Sequence, residues 1–207
     1  MPNLPAACIL VLLAPAAQAR CVTAADLALG VAFTRADHRA GMVVSAGDAL
    51  TIDYATSHTS AWTDARSSLM GVFDLAADFH FNDAPTVGGG SPRFVWTFRK
   101  HPPVPTPGTA FTTTVRQVRS EDIGTQFPKP DDVVSYTATY TFLDAKAVTI
   151  SGCPYTVIPV EAAFAPINAT QRWLYFPDLG FGIETRTRGF DHETPHNNGI
   201  TALEPAK

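Results

Sequence analysis

The sequence predicts a mostly β protein: an antiparallel sheet, half-barrel or sandwich-like, with one short N-terminal helix. Three observations carry that expectation. Apolar and polar residues alternate with period two over many stretches, whereas long runs at helical spacing are scarce. The polar positions are filled by Thr and Ser more than by Lys and Glu, so only 16% of the 207 residues are charged, against roughly 25% in an ordinary soluble domain. Finally, Gly, Pro and Asp punctuate the alternating stretches at short intervals.

The elements follow in order. Thr23 is placed to cap a short helix through Leu27. Val31–Thr34, Met42–Val44 and Ala49–Tyr54 read as strands separated by turns at Asp37-His38 and Gly47-Asp48. Alternation from Leu69 through Phe81 reads as one longer strand, and Arg93–Arg99 as another, with Phe94, Trp96 and Phe98 on one face. Gly88-Gly89-Gly90-Ser91-Pro92 is a loop. In residues 101–108, Pro102, Pro103, Pro105 and Pro107 remove ladder donors and fix φ, which excludes a sheet interior. This segment is expected as a stiff crossover within one sheet, the alternative being a domain linker. The strongest signal is Val133–Phe142: Val134, Tyr136, Ala138, Tyr140 and Phe142 share one face, and Ser135, Thr137, Thr139 and Thr141 the other. Such a strand belongs to a sheet buried on one side. Ala147–Ser151 and Tyr155–Phe164 continue as strands. Trp173–Phe176 and Phe181–Arg186 flank Pro177-Asp178-Leu179-Gly180, a hairpin turn beginning with Pro and ending on Gly.

Three segments organise the chain. Residues 1–19 carry no charged side chain and read as a signal peptide: an apolar run from Ala6 to Ala14, then Pro15 and the small-residue site Ala17-Gln18-Ala19. About nine apolar residues are too few to cross a bilayer core, which needs about 20. Residues 20–190 are expected to form a single β-rich domain, a normal length for one core. Residues 191–207 are expected as a polar, frayed tail. With the leader removed, Cys21 and Cys153 are left as a pair in a compartment where thiols oxidise, and a structural disulfide between them is expected. On the chain-entropy model so long a loop is worth about 4–5 kcal/mol. Arg20 occupies the place where a lipidated cysteine needs a small residue, which argues against lipid attachment at Cys21.

Cys153-Pro154-Tyr155, Val157-Ile158-Pro159-Val160 and the run Trp173 to Gly182 resemble the closing strands of uncharacterised exported β-rich proteins of proteobacteria. In these an aromatic strand, a Pro-acid-x-Gly turn and a returning strand recur near the C-terminus. The resemblance covers about 35 residues, since the motif is a turn with its packing. It implies export and a β fold, and it carries over no catalytic residue.

Several motifs suggest chemistry and are outweighed by plainer readings. His192-Glu193-Thr194-Pro195-His196 matches the HExxH pattern of zinc hydrolases, which needs both imidazoles on one helical turn. Pro195 between the ligands opposes that helix. His58 lies near Asp53 and Asp64 among hydroxyl residues, but no nucleophile elbow accompanies it. His38 is expected in a turn and His80 outward from an aromatic strand. Asp74 and Asp78 would lie about 13 Å apart along a strand, beyond glycosidase spacing. Glu161, in an otherwise apolar strand, is expected to point outward; inward, it would need Arg172 or Arg186.

A net charge of −4 provides no broad positive field for nucleic acid or anionic membrane. The expected role is an exported, non-catalytic binding or envelope-associated protein, periplasmic or secreted, without cofactor or metal. Its partner would be an apolar or amphipathic small ligand held on an aromatic sheet face, or an envelope protein. Candidate ligand contacts are Trp96, Tyr136, Tyr140, Phe142 and Trp173, with Trp62 as a further aromatic. The alternatives are a metal-dependent hydrolase built on His192 and His196, or a purely structural envelope component.

Overall fold

The structure, a computed structural model, describes residues 20–54, 62–81, 91–122, 130–189 and 199–206. A 3₁₀ helix (Ala24–Ala28) precedes the strands β1 (Val31–Arg35), β2 (Ala40–Ala46), β3 (Ala49–Tyr54), β4 (Trp62–Leu69) and β5 (Phe73–Phe81). There follow β6 (Ser91–Phe98), β7 (Thr109–Asp122), β8 (Asp132–Phe142), β9 (Lys146–Ile150) and β10 (Cys153–Ala165). The chain closes with β11 (Ala169–Phe176), β12 (Phe181–Arg188) and β13 (Ile200–Pro205). All the strands join one 13-stranded sheet in the order β12-β11-β10-β8-β7-β6-β5-β4-β3-β2-β1-β13, with β9 paired to β10. Each pairing is antiparallel.

Two apolar cores explain the curvature. The first joins Val31 and Phe33 of β1, Val43 of β2 and Ile52 of β3 to Tyr155 and Val157 of β10 and Phe181 and Ile183 of β12. These strands stand near opposite ends of the strand order, so burying their apolar faces together curls the sheet into a nearly closed, barrel-like form. The second core joins Phe73, Val115, Tyr136, Tyr140, Phe142, Val160, Phe164 and Trp173. Strand β10 serves both. Cys153, Tyr155 and Val157 face the first core; at Ile158 the alternation slips by one, and Ile158, Val160, Ala162 and Phe164 face the second. Its edge is shared in the same way, by β9 against Cys153–Val157 and by β8 against Val160–Ala165.

A backbone contact joins the β4–β5 turn to β12. Met70 and Gly71, both at positive φ (55° and 67°), sit in the three-residue turn between β4 and β5, where the Val72 N–H donates to the Leu69 carbonyl at 3.2 Å. The Gly182 N–H of β12 donates to the Met70 carbonyl at 2.8 Å. A Cβ on Gly71 would lie 2.2 Å from the Gly182 oxygen, so no side chain fits there.

At the N-terminus, Cys21 is disulfide-bonded to Cys153, and the Val22 N–H donates to the Tyr155 hydroxyl at 3.0 Å. The Asp26 carboxylate accepts from the Thr23 N–H at 2.8 Å and the Thr23 hydroxyl at 2.9 Å, and pairs with Arg20. Thr23 thus precedes the 3₁₀ helix as expected, but its hydroxyl acts as donor to Asp26.

Three expectations need correction, and one strand is missed. The run Leu69–Phe81 is a hairpin, because the Met70-Gly71 turn interrupts it. Residues 101–108 connect neighbouring antiparallel strands β6 and β7, so the chain makes no crossover there; Pro102 and Pro105 are buried against the sheet. Strand β7 has no counterpart in the sequence reading. The segment expected to fray contains β13, which pairs with β1 and buries Ile200 and Leu203 in the first core. The leader at 1–19 lies outside the described residues.

Candidate functional site

Strand β4 is unusual in what it turns inward. Asp64, Arg66 and Ser68 alternate on its buried face, where the neighbouring strands place apolar side chains. A charge so placed requires partners, and for Arg66 three carboxylates among the described residues supply them. Its Nε and Nη2 donate to Asp64 Oδ1 at 2.9 Å and Oδ2 at 2.6 Å. Its Nη1 donates to Glu184 Oε2 at 2.6 Å and to Asp74 Oδ2 at 3.1 Å. Tyr54 completes the arrangement: the Arg66 guanidinium stands 4.8 Å from its ring centre and that of Arg35 5.8 Å, while its hydroxyl accepts the Glu184 N–H at 3.0 Å. Glu184 also accepts from Gln171 Nε2 at 3.3 Å and from the Thr187 hydroxyl.

The electrostatics follow from this count. Burial alone would lower the Arg66 pKa, and the carboxylates of Asp64, Glu184 and Asp74 outweigh it, holding the guanidinium charged. Among the described residues, three carboxylates surround this one guanidinium, and Arg35, the next cation, is paired with Asp37. Burial, reinforced by the charges of Glu184 and Asp64 and opposed by Arg66, pushes Asp74 up to about 6. Asp74 is also the least enclosed of the three, with 14% of its side chain exposed against 2% for Asp64 and 3% for Glu184.

Asp74 and Arg66 form part of the wall of a cavity of about 230 Å³. The remainder is largely aromatic: Phe79 from β5, Phe94, Trp96 and Phe98 from β6, Tyr136 and Tyr140 from β8, and Phe164 from β10. Period-two alternation brings Phe94, Trp96 and Phe98 to one face of β6. Phe94 and Trp96 are stacked at 5.7 Å, and Trp96 Nε1 donates to Gln117 Oε1 at 3.2 Å. The Tyr136 and Tyr140 hydroxyls are held neutral, pushed well above the ordinary tyrosine range by burial. Val134, Gln117 and Gln171 complete much of the rest.

The sequence candidates separate into two groups. Trp96, Tyr136 and Tyr140 line the cavity. Phe142 and Trp173 are 1% and 2% exposed and belong to the packed second core; Trp173 stands 6.2 Å from Tyr140, behind the cavity wall. Buried indole Nε1 of Trp173 has no hydrogen-bond partner among the described residues. The Trp62 side chain lies outside the described residues, as do His58, the side chain of His80, and the HExxH-like segment His192 to His196. His38 is in a turn at φ 63°. Asp74 and Asp78 have separate surroundings, the second an exposed pair with Arg93 at 3.7 Å. Glu161 points outward and pairs with Arg172. Among the described residues no group of three or more His, Cys, Asp or Glu is arranged to hold a metal ion.

Sequence reasoning missed Arg66 and Glu184 altogether and dismissed Asp74. A signal was present in Asp64-Ala65-Arg66-Ser67-Ser68, a strand segment with no apolar face. Compared with family models, curated proteins and solved structures, the chain matches none.

Proposed function

We propose that this is an exported, non-catalytic binding protein that holds a small amphipathic ligand in the aromatic cavity, its polar end a cation beside Asp74. The observation that carries the reading is the pairing of an aromatic wall with an excess of buried carboxylate at one side of it. Aromatic faces favour an apolar body and, through their quadrupoles, a cation. Arg66 already donates to three carboxylates, which disfavours an anionic ligand. A volume of about 230 Å³ lies between the roughly 150 Å³ that admits benzene and the 300–1,000 Å³ of sites for drug-sized molecules. A substituted ring or a short alkyl chain fits that range better than a whole lipid. Export is supported by the Cys21–Cys153 disulfide, a bond that persists in oxidising compartments, and by the leader-like composition of residues 1–19. No helix among the described residues is long and apolar enough to cross a membrane.

Calorimetric titration with three probes of one shape tests the reading: 4-phenylbutylammonium, 4-phenylbutanol and 4-phenylbutyrate. The amine is expected to bind about tenfold more tightly than the alcohol, and the carboxylate most weakly. Its affinity is expected to rise with pH through about 6 as Asp74 ionises. Trp96→Ala should weaken all three. Absence of heat from every probe at millimolar concentration would refute binding in the cavity, whereas a preference for the carboxylate would refute the charge assignment.

A further inference from the structure

The outer face of β8, β10, β11 and β12 carries a second, chemically opposite feature. Backbone register sets two adjacent cross-strand rows there. One runs Thr141, Glu161, Arg172, Arg186, and the next runs Thr139, Ala163, Thr170, Arg188. Directly opposed side chains in such rows approach within about 5 Å at Cβ, and residues two apart on one strand share a face. The rows therefore gather three guanidiniums and three hydroxyls about one small residue, Ala163, and all eight side chains line a groove of about 320 Å³.

The charges in this groove are not balanced. Arg172 and Arg186 are direct cross-strand partners, a like-charge juxtaposition that destabilises a sheet. Glu161 pairs with Arg172, which leaves two positive charges in excess on a chain whose net charge is −4. The Nε of Arg186 is buried and has no hydrogen-bond partner among the described residues. Opposed arginines with an unsatisfied buried donor are the arrangement that an oxyanion completes, since guanidinium binds phosphate and sulfate through paired, charge-assisted hydrogen bonds.

We propose that this groove binds a tetrahedral oxyanion, a phosphate or sulfate group, between Arg172, Arg186 and Arg188, with Thr139 and Thr170 as hydroxyl partners. The site is separate from the aromatic cavity and takes a ligand of the opposite charge. The group is either free in solution or carried on a lipid headgroup, and the test distinguishes these sources. Inorganic phosphate is titrated into the disulfide-bonded protein at low salt, and the same protein is sedimented with vesicles of phosphatidylglycerol and of phosphatidylcholine. Arg188→Gln alters an exposed side chain and should not disturb folding, so it is read beside Arg186→Gln; Arg99→Gln, an exposed arginine after β6, is the control for general charge. The expected result is saturable phosphate binding, weakened at least tenfold by Arg186→Gln and by Arg188→Gln and unchanged by Arg99→Gln. Binding confined to phosphatidylglycerol vesicles with the same arginine dependence would assign the headgroup. Binding of neither probe, or binding that all three variants weaken alike, would overturn the site.

Discussion

Arg66 and Asp74 differ in what the fold asks of them. Arg66 is held by three carboxylates and by the face of Tyr54; removing it would leave those carboxylates buried without their cation, a loss of about 3–5 kcal/mol by analogy with broken buried pairs. Asp74 accepts from Nη1 of that guanidinium at 3.1 Å and borders the cavity. Its pKa is raised from 3.8 to about 6, first by burial and then by the neighbouring carboxylates. The native state therefore binds more protons than the unfolded state between these values, and stability falls as pH rises through that window. Asp74→Asn should remove this contribution, on the order of 2 kcal/mol. Urea unfolding of both proteins at pH 4 and pH 7 measures it; an identical pH dependence in the two would contradict the placement of Asp74. Alternation in the sequence identifies the inward face of β8 but not depth along it. Tyr136 and Tyr140 reach the cavity, whereas Phe142 lies at the strand end, opposite Val160 and Thr109, inside the packed core.

Among the elements, those with an apolar and a polar face were legible. Strands β1, β3 and β8 begin and end within a residue of where alternation places them, and the Pro177–Gly180 turn joins β11 to β12 as its residues require. Strand β7 was not legible, because Thr109, Thr112, Thr113, Thr114, Arg116, Gln117 and Arg119 leave no continuous apolar face; partners on both sides, β6 and β8, define it as a strand. Strand β13 is short and flanked by polar sequence, and its stability comes from β1 and the first core. The β4–β5 turn was hidden because Met70 is an uncommon residue at positive φ. Its contact with β12 yields a direct test. Gly71→Ala adds a methyl group into the Gly182 backbone, while Gly47→Ala, at the same φ of 67°, meets nothing within 4 Å. The second should cost about 1 kcal/mol, from backbone strain alone, and the first at least about 3 kcal/mol. Equal midpoints in urea would mean that β12 does not rest on this turn.

At the scale of the whole molecule, low charge and high Thr content describe a sheet whose outer surface is polar without being highly charged, and whose ends are brought together by packing. The N-terminal segment is fastened to β10 by the disulfide, and the C-terminal strand adds to β1. Curvature creates the candidate site: Arg66 of β4 meets Glu184 of β12, far away in the strand order, only because the sheet bends back on itself. That encounter between residues distant in sequence has no local signature, which is why the aromatic half of the site could be read from alternation and the charged half could not. The most direct test is to locate the ligand by nuclear magnetic resonance, using 4-phenylbutylammonium bound to isotope-labelled protein. Intermolecular Overhauser contacts are predicted from its ring to Trp96, Tyr136 and Tyr140, with its methylene next to nitrogen near the Asp74 Cβ protons. Contacts confined to other surfaces, or none under saturating conditions, would contradict the cavity as the binding site.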